Sequence, residues 1–231
     1  MTRLLWPLML LALAIITTFS QLDRQARYTP ELGRWVPGPF ASFSQVHSFQ
    51  QALDNNQSEQ AQLEARALVA KRPIPAQHQR WLAQAMMANG DQNGAALTIQ
   101  RAARHGWRDL DVQQSMLVLA MQGEDHEQAA LRLAALWALA GDQELLRKYS
   151  PAVLGQPAAR QRFAEVLSEA RWRRTFLSNG PTVLSADLFF ATLSDSQKAG
   201  AKFDCERLTN SLARKAATIQ QRTEWAHRFG C

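Results

Sequence analysis

The sequence predicts an all-α protein: an antiparallel helix-hairpin stack with a helical C-terminal cap and an N-terminal membrane helix. Three observations carry this expectation. Alanine, leucine, glutamine and arginine dominate the usage and there are only two tyrosines; the frequent residues lose little side-chain entropy in a helix. From residue 42 onward the pattern is helical, and most segments close on a Gly or Asn, the residues that tolerate the left-handed end of a helix. Small and large apolar residues also recur about every 34 positions.

The chain opens on an uncharged apolar run, Leu4 to Phe19, with Arg3 before it and Asp23, Arg24 and Arg27 after it. Crossing a bilayer takes about 20 apolar residues. The run is slightly short, and so reads as a single-span anchor or a cleaved signal peptide, with a buried core helix as the third reading. Thr18, Phe19 and Ser20 offer a weak cleavage site before Gln21. Residues 1–20 are this segment, and residues 21–41 read as a proline-rich linker. Pro30, Pro37 and Pro39 oppose a long helix there, and Trp35 and Phe40 are candidates to dock it.

Residues 42–143 read as the repeat region. The expected helices are Gln45–Leu53, Glu59–Val69 (inner face Leu63, Ala67, Val69), Gln77–Asn89, Gly94–His105, Val112–Met121 and Glu127–Leu139. Asn56, Pro73, Gly90, Gly106, Gly123 and Gly141 mark the breaks. Short helices on short turns imply antiparallel neighbours. Ala61, Ala95 and Ala129 stand at the repeat interval, where a tiny side chain lets two helices of a hairpin approach; Ile99 and Leu133, four positions on, fill the layer between hairpins.

With Leu82, Gly90, Ala95, Ile99 and Ala102 as its best unit, this region resembles the tetratricopeptide repeat family in three degenerate units. It departs from that pattern in placing Asn56 at the first turn, in displacing the third turn glycine, and in lacking most aromatic positions. The resemblance implies a concave groove lined by the first helix of each hairpin. Its candidate residues are Gln77, Arg80, Gln84 and Met87, then Gln114, Val118 and Met121. Gln and Met suit adaptable contacts with a peptide.

Beyond residue 143 the period is lost, and residues 144–231 read as the cap that a repeat array needs over its last apolar face. Expected here are a short helix Glu144–Tyr149 before Ser150-Pro151, an amphipathic helix Ala158–Arg174, a firm break at Asn179-Gly180-Pro181, and Ser185 capping Ala186–Leu193. Asp204–Gln220 and Arg222–Phe229 complete the chain.

Little in the sequence carries chemistry. There is no glycine-rich phosphate loop, no G-x-S-x-G and no C-x-x-C, and no cofactor is expected. The five histidines, His47, His78, His105, His126 and His227, show no metal spacing. A zinc site from Cys205, His227 and Cys231 would lack a fourth ligand. Asp109 and Asp111, and the cluster from Glu124 to Glu127, read as acids at helix starts and turns. The densest basic patch is Arg171, Trp172, Arg173 and Arg174: an anion or lipid-head contact, or a helix C-terminus whose arginines complement the dipole.

The net charge of +6 (26 Lys and Arg against 20 Asp and Glu) is spread along the helices and forms no stripe, so no nucleic-acid partner is expected. The sequence-level expectation is a non-enzymatic scaffold of the bacterial envelope that binds another envelope protein, as in a polysaccharide-export or secretion assembly. It would be held in the inner membrane by residues 4–19 with its domain in the periplasm, or exported after cleavage. The alternative is a helical envelope enzyme acting on cell-wall or surface glycans, with Glu165 and Glu169 as its available acids. In an oxidising compartment the only two cysteines, Cys205 and Cys231, are expected to pair; two free thiols, or Cys231 bonded to a partner chain, are the alternatives.

Overall fold

A computed structural model describes residues 2–139, 142–215 and 219–231. The fold is all-α: among the described residues there are thirteen α-helices and one 3-10 helix, with no strand. Two compact units divide it, Met1–His105 and Gly106–Cys231. The division falls inside the expected repeat region, well before residue 143.

The first unit begins with α1, Thr2–Ala26. It runs six residues into the stretch expected as linker. A 3-10 helix follows at Pro30–Trp35, started by the fixed φ of its proline. Two hairpins come next: α2 (Phe43–Asp54) with α3 (Ser58–Lys71), and α4 (Ala76–Ala88) with α5 (Gln92–His105). Neighbours in sequence are neighbours in space, since α3 packs on both α2 and α4. Ala61, Ala65 and Leu68 are fully buried on α3, whereas Leu63 is 62 % exposed. The inner face therefore follows the 61–65–68 spacing of a helical stripe and is not the one read through Leu63, Ala67 and Val69. Phe49 and Trp81 close this core, with ring centroids 5.6 Å apart. His78 is buried beside Trp81, its Nδ1 3.1 Å from the Arg72 carbonyl. Burial pushes its imidazole below the usual range, with that carbonyl acting the other way.

Within the second unit α6 (Leu110–Gln122) and α7 (His126–Ala138) form a third hairpin. Asp109 and Asp125 cap its helices, accepting from Val112 N–H at 3.1 Å and Gln128 N–H at 3.0 Å. The three hairpin turns share one backbone feature: Asn56, Gly90 and Glu124, each 34 residues from the next, have φ of 57°, 82° and 54°. In the third turn Glu124 takes the left-handed position, while the neighbouring Gly123 stays at −86°. The expected stop at Gly141 lies outside the described residues.

The remaining helices are α8 (Gln143–Leu154), α9 (Pro157–Glu169), α10 (Arg173–Val183), α11 (Ala186–Lys198), α12 (Cys205–Ala213) and α13 (Ile219–Arg228). Ser185 caps α11 by accepting from Leu188 N–H, as expected, but the helix runs on to Lys198. Four readings need correction. Helix α8 continues through Pro151 and does not stop at Tyr149. Helix α9 ends at Glu169, so Arg171–Arg174 are not its last turn. Helix α12 ends at Ala213, short of the expected Gln220; residues 216–218 lie outside the described part. Asn179-Gly180-Pro181 is no break, because α10 passes through it.

The last case has a clear cause. Proline at 181 lacks the N–H that would bond the Leu177 carbonyl. That carbonyl instead accepts from Ser211 Oγ at 2.6 Å and Arg214 Nη2 at 3.2 Å, both from the end of α12. Gly180 is required by packing: a Cβ there would lie 2.6 Å from the buried Phe189 ring. The two residues that suggested a turn are the ones that dock α11 and α12 onto α10.

Candidate functional site

Helix α1 is the first functional feature. Residues 5–26 are long and apolar enough to cross a membrane, and none of their apolar window is buried. At 1.5 Å per residue the span exceeds the ~30 Å of a hydrocarbon core. Its end is fastened to the first unit. Phe19 stacks on Phe40 at 5.6 Å, which places Phe40, one of the expected docking residues, on the helix itself. The other, Trp35, stays exposed under the Arg34 guanidinium.

Asp23 makes the stronger junction. Its buried carboxylate accepts from the backbone N–H groups of Ser42, Phe43 and Ser44 at 3.0–3.1 Å and from Ser44 Oγ at 3.0 Å. Helix α2 has no side-chain cap of its own, so Asp23 caps it from about twenty residues away. Lys71 Nζ adds bonds to the carbonyls of Gly38 and Ala41 and to Gln45 Oε1. Replacing Asp23 by alanine should cost about 2–3 kcal/mol, since several donors to a charged acceptor are orphaned at once. Denaturant unfolding of the full chain in non-ionic detergent checks this, with Asp23→Asn expected to fall between the two. A loss under about 0.5 kcal/mol would show that the junction does not hold.

The candidate groove residues fall in both units. On α4, Gln77, Gln84 and Met87 are exposed and Arg80 is half-buried, all on one face. On α6, Gln114, Val118 and Met121 are half-buried, and Val118 and Met121 pack against the large core of the second unit.

The basic patch is the element that the second unit assembles into a cavity. Trp172 is the N-cap residue of α10, with its ring against Phe163 at 5.7 Å. Arg173 and Arg174 therefore open a helix, where cations oppose the dipole, and do not close one. Arg173 reaches back to donate to the Ser168 carbonyl at 2.6 Å. Around them lies a cavity of about 500 Å³, lined also by Arg171, Leu177, Phe203, Asp204, Lys202 and Arg207. Sequence reading missed Lys202 and Arg207, which stand some thirty residues downstream and arrive only through the docking of α12 on α10. The one signal for them was the capping residue Asp204, whose side chain accepts from Arg207 N–H at 2.9 Å.

Cys205 and Cys231 form a disulfide, with Cα atoms 5.4 Å apart. It ties the first residue of α12, next in sequence to Asp204 of the cavity lining, to Cys231, and it removes the two thiolates that a zinc site with His227 would need. No group of three or more His, Cys, Asp or Glu among the described residues is placed to hold a metal. Glu165 and Glu169 are exposed, Glu165 pairing with Arg162 at 2.8 Å. No protein-family model matches the sequence, no curated protein matches it, and no solved structure matches the fold.

Proposed function

We propose that this protein is a non-enzymatic, membrane-tethered binding module of the cell envelope. It stays joined to the inner membrane by an uncleaved α1, holds its folded units on the periplasmic side and engages another envelope protein. The observation that carries this reading is the Asp23 junction. It makes a helix whose apolar window is unburied continuous with a folded unit, just after the residues where a signal peptide would be cut. Cleavage before Gln21 would leave Asp23 on its partners but remove the Phe19–Phe40 stack that fastens the apolar run to the unit. The disulfide supports an oxidising compartment.

The tetratricopeptide reading belongs here too. Its support is the spacing of the second hairpin helices, which begin at Ser58, Gln92 and His126, and the burial of Ala61, Ala95 and Ala129. On that reading the α4 face of Gln77, Gln84 and Met87, with the half-buried Arg80 among them, is the surface offered to the partner.

Membrane fractionation with an alkaline wash tests the tether. The chain should remain with the membrane, keep Met1, and be digested by protease added outside spheroplasts. A soluble product starting near Gln21 overturns the tether. A photo-crosslinking amino acid at Gln84 should capture an envelope protein that the same probe at Arg66, exposed on α3, does not; equal capture overturns the α4 assignment.

A further inference from the structure

We infer that the cavity between the starts of α10 and α12 is a binding site for a diphosphate, or for two adjacent phosphate groups. This goes beyond the tether and rests neither on it nor on the α4 face.

The argument begins with charge. Five cations line the cavity, Arg171, Arg173, Arg174, Lys202 and Arg207, against one carboxylate, Asp204. Asp204 is already engaged as the cap of α12. Arg173 is anchored on the Ser168 carbonyl. Among the described residues, the side chains of Arg171, Arg174, Lys202 and Arg207 have no hydrogen-bond or ion-pair partner. A single phosphate carries between one and two negative charges, which leaves this excess only partly matched; a diphosphate matches it better.

Arg171, Arg174, Lys202 and Arg207 are exposed, and what makes the cluster a candidate site is their convergence. The cations come from two segments thirty residues apart and converge on one concavity. Its walls are bolted together by Ser211 and Arg214 on the α10 carbonyls of Leu177 and Ser178. Arg214 and Ser211 thus hold the frame, while four other cations are left pointing free. The backbone agrees. Arg173 and Arg174 occupy the first turn of α10, a helix with no side-chain cap, so the local rule that places acids at a helix start is reversed. A bound anion would supply the missing negative charge and accept from the uncapped N–H groups. Arginine forks suit the paired oxygens of phosphate better than a point charge does. The lining also contains the apolar side chains of Leu177 and Phe203.

The test uses the full, disulfide-intact chain in non-ionic detergent at about 0.15 M salt, where surface attraction is screened beyond ~8 Å. Calorimetric titration with inorganic pyrophosphate should give saturable one-to-one binding, about tenfold tighter than with inorganic phosphate. The pair Arg174→Gln and Arg207→Gln should weaken it about tenfold or more. The pair Arg66→Gln and Arg101→Gln removes the same charge from exposed positions of the first unit and should change it less than about twofold. Should the first pair fail to fold, Lys202→Gln alone, on the exposed loop before α12, should still weaken binding about threefold.

Repeating the titration in phosphatidylcholine nanodiscs with and without phosphatidylglycerol identifies the source. Competition by the anionic lipid marks a lipid headgroup, and unchanged affinity marks a phosphate from outside the bilayer; both keep the site. Absence of saturable pyrophosphate binding, or an equal loss in the Arg66/Arg101 pair, overturns it.

Discussion

Replacing Trp137 by alanine is expected to cost the second unit about 3–5 kcal/mol, the range for deleting a fully buried large aromatic side chain. Trp137 has no exposed surface. Its ring meets Phe176 edge-on at 4.9 Å, and Phe176 in turn lies 5.6 Å from Phe163 and 5.7 Å from Phe189. One indole on α7 thus touches the aromatic chain that joins α9, α10 and α11. The indole Nε1 also donates to Ser150 Oγ at 3.2 Å, and Ser150 is itself completely buried. Truncation therefore adds an orphaned hydroxyl to the cavity term. Trp137→Phe separates the two contributions: it keeps an aromatic ring and loses the hydrogen bond, and should cost about half as much. The measurement is urea unfolding followed by far-UV circular dichroism in detergent. With two compact units the transitions need not coincide, and the loss should fall on the one that carries the second unit. A loss under about 1.5 kcal/mol would show that this tryptophan does not sit at the centre of the core.

What the sequence made legible is what short range determines. Asp109 and Ser185 cap the helices they precede, because a cap needs only a side chain three residues from its donor; Asp125, read as part of a solvated turn cluster, caps α7 in the same way. Ala61, Ala95 and Ala129 are buried because a close crossing admits nothing larger. The hairpin turns were found even where glycine is missing, since Asn56 and Glu124 fill the same left-handed position. What the sequence hid depends on residues far along the chain. Pro181 reads as a stop until Ser211 and Arg214 are seen to satisfy the carbonyl it abandons. Asp23 reads as a flank of the apolar run, and its acceptors' donors lie about twenty residues away. The basic patch reads as a helix end because nothing local says that α9 stops at Glu169, and its partners Lys202 and Arg207 are brought in by tertiary packing. Leu63 misled for the opposite reason: a lone apolar residue on an exposed face carries no information about the core.

Removing the disulfide is the second large effect. The bridge joins residues 26 apart, and in the chain-entropy account a loop of that length is worth about 3.5 kcal/mol at 25 °C. The native contacts it preserves are specific. Phe229 lies against Phe190 at 5.5 Å and Phe203 at 5.9 Å, and Trp225 lies 5.2 Å from Phe190. This aromatic cluster lies where α13 meets α11 and the loop before α12. Cys205→Ser, Cys231→Ser and the double replacement should each lose about 3.5 kcal/mol, because either single change opens the same loop. Reduction of the wild-type chain should match them. The loss should appear first as deprotection of α13 in amide exchange, ahead of α7 and α9. A second consequence reaches the cavity: Cys205 directly follows Asp204 and begins the helix that carries Arg207, so reduction should weaken pyrophosphate binding without altering any cation. Thiol counting on denatured, unreduced protein from the envelope is the direct check. No free thiol is expected; finding two, or a stability unchanged by reduction, would sink the bridge as a structural element and with it the strongest support for an oxidising compartment.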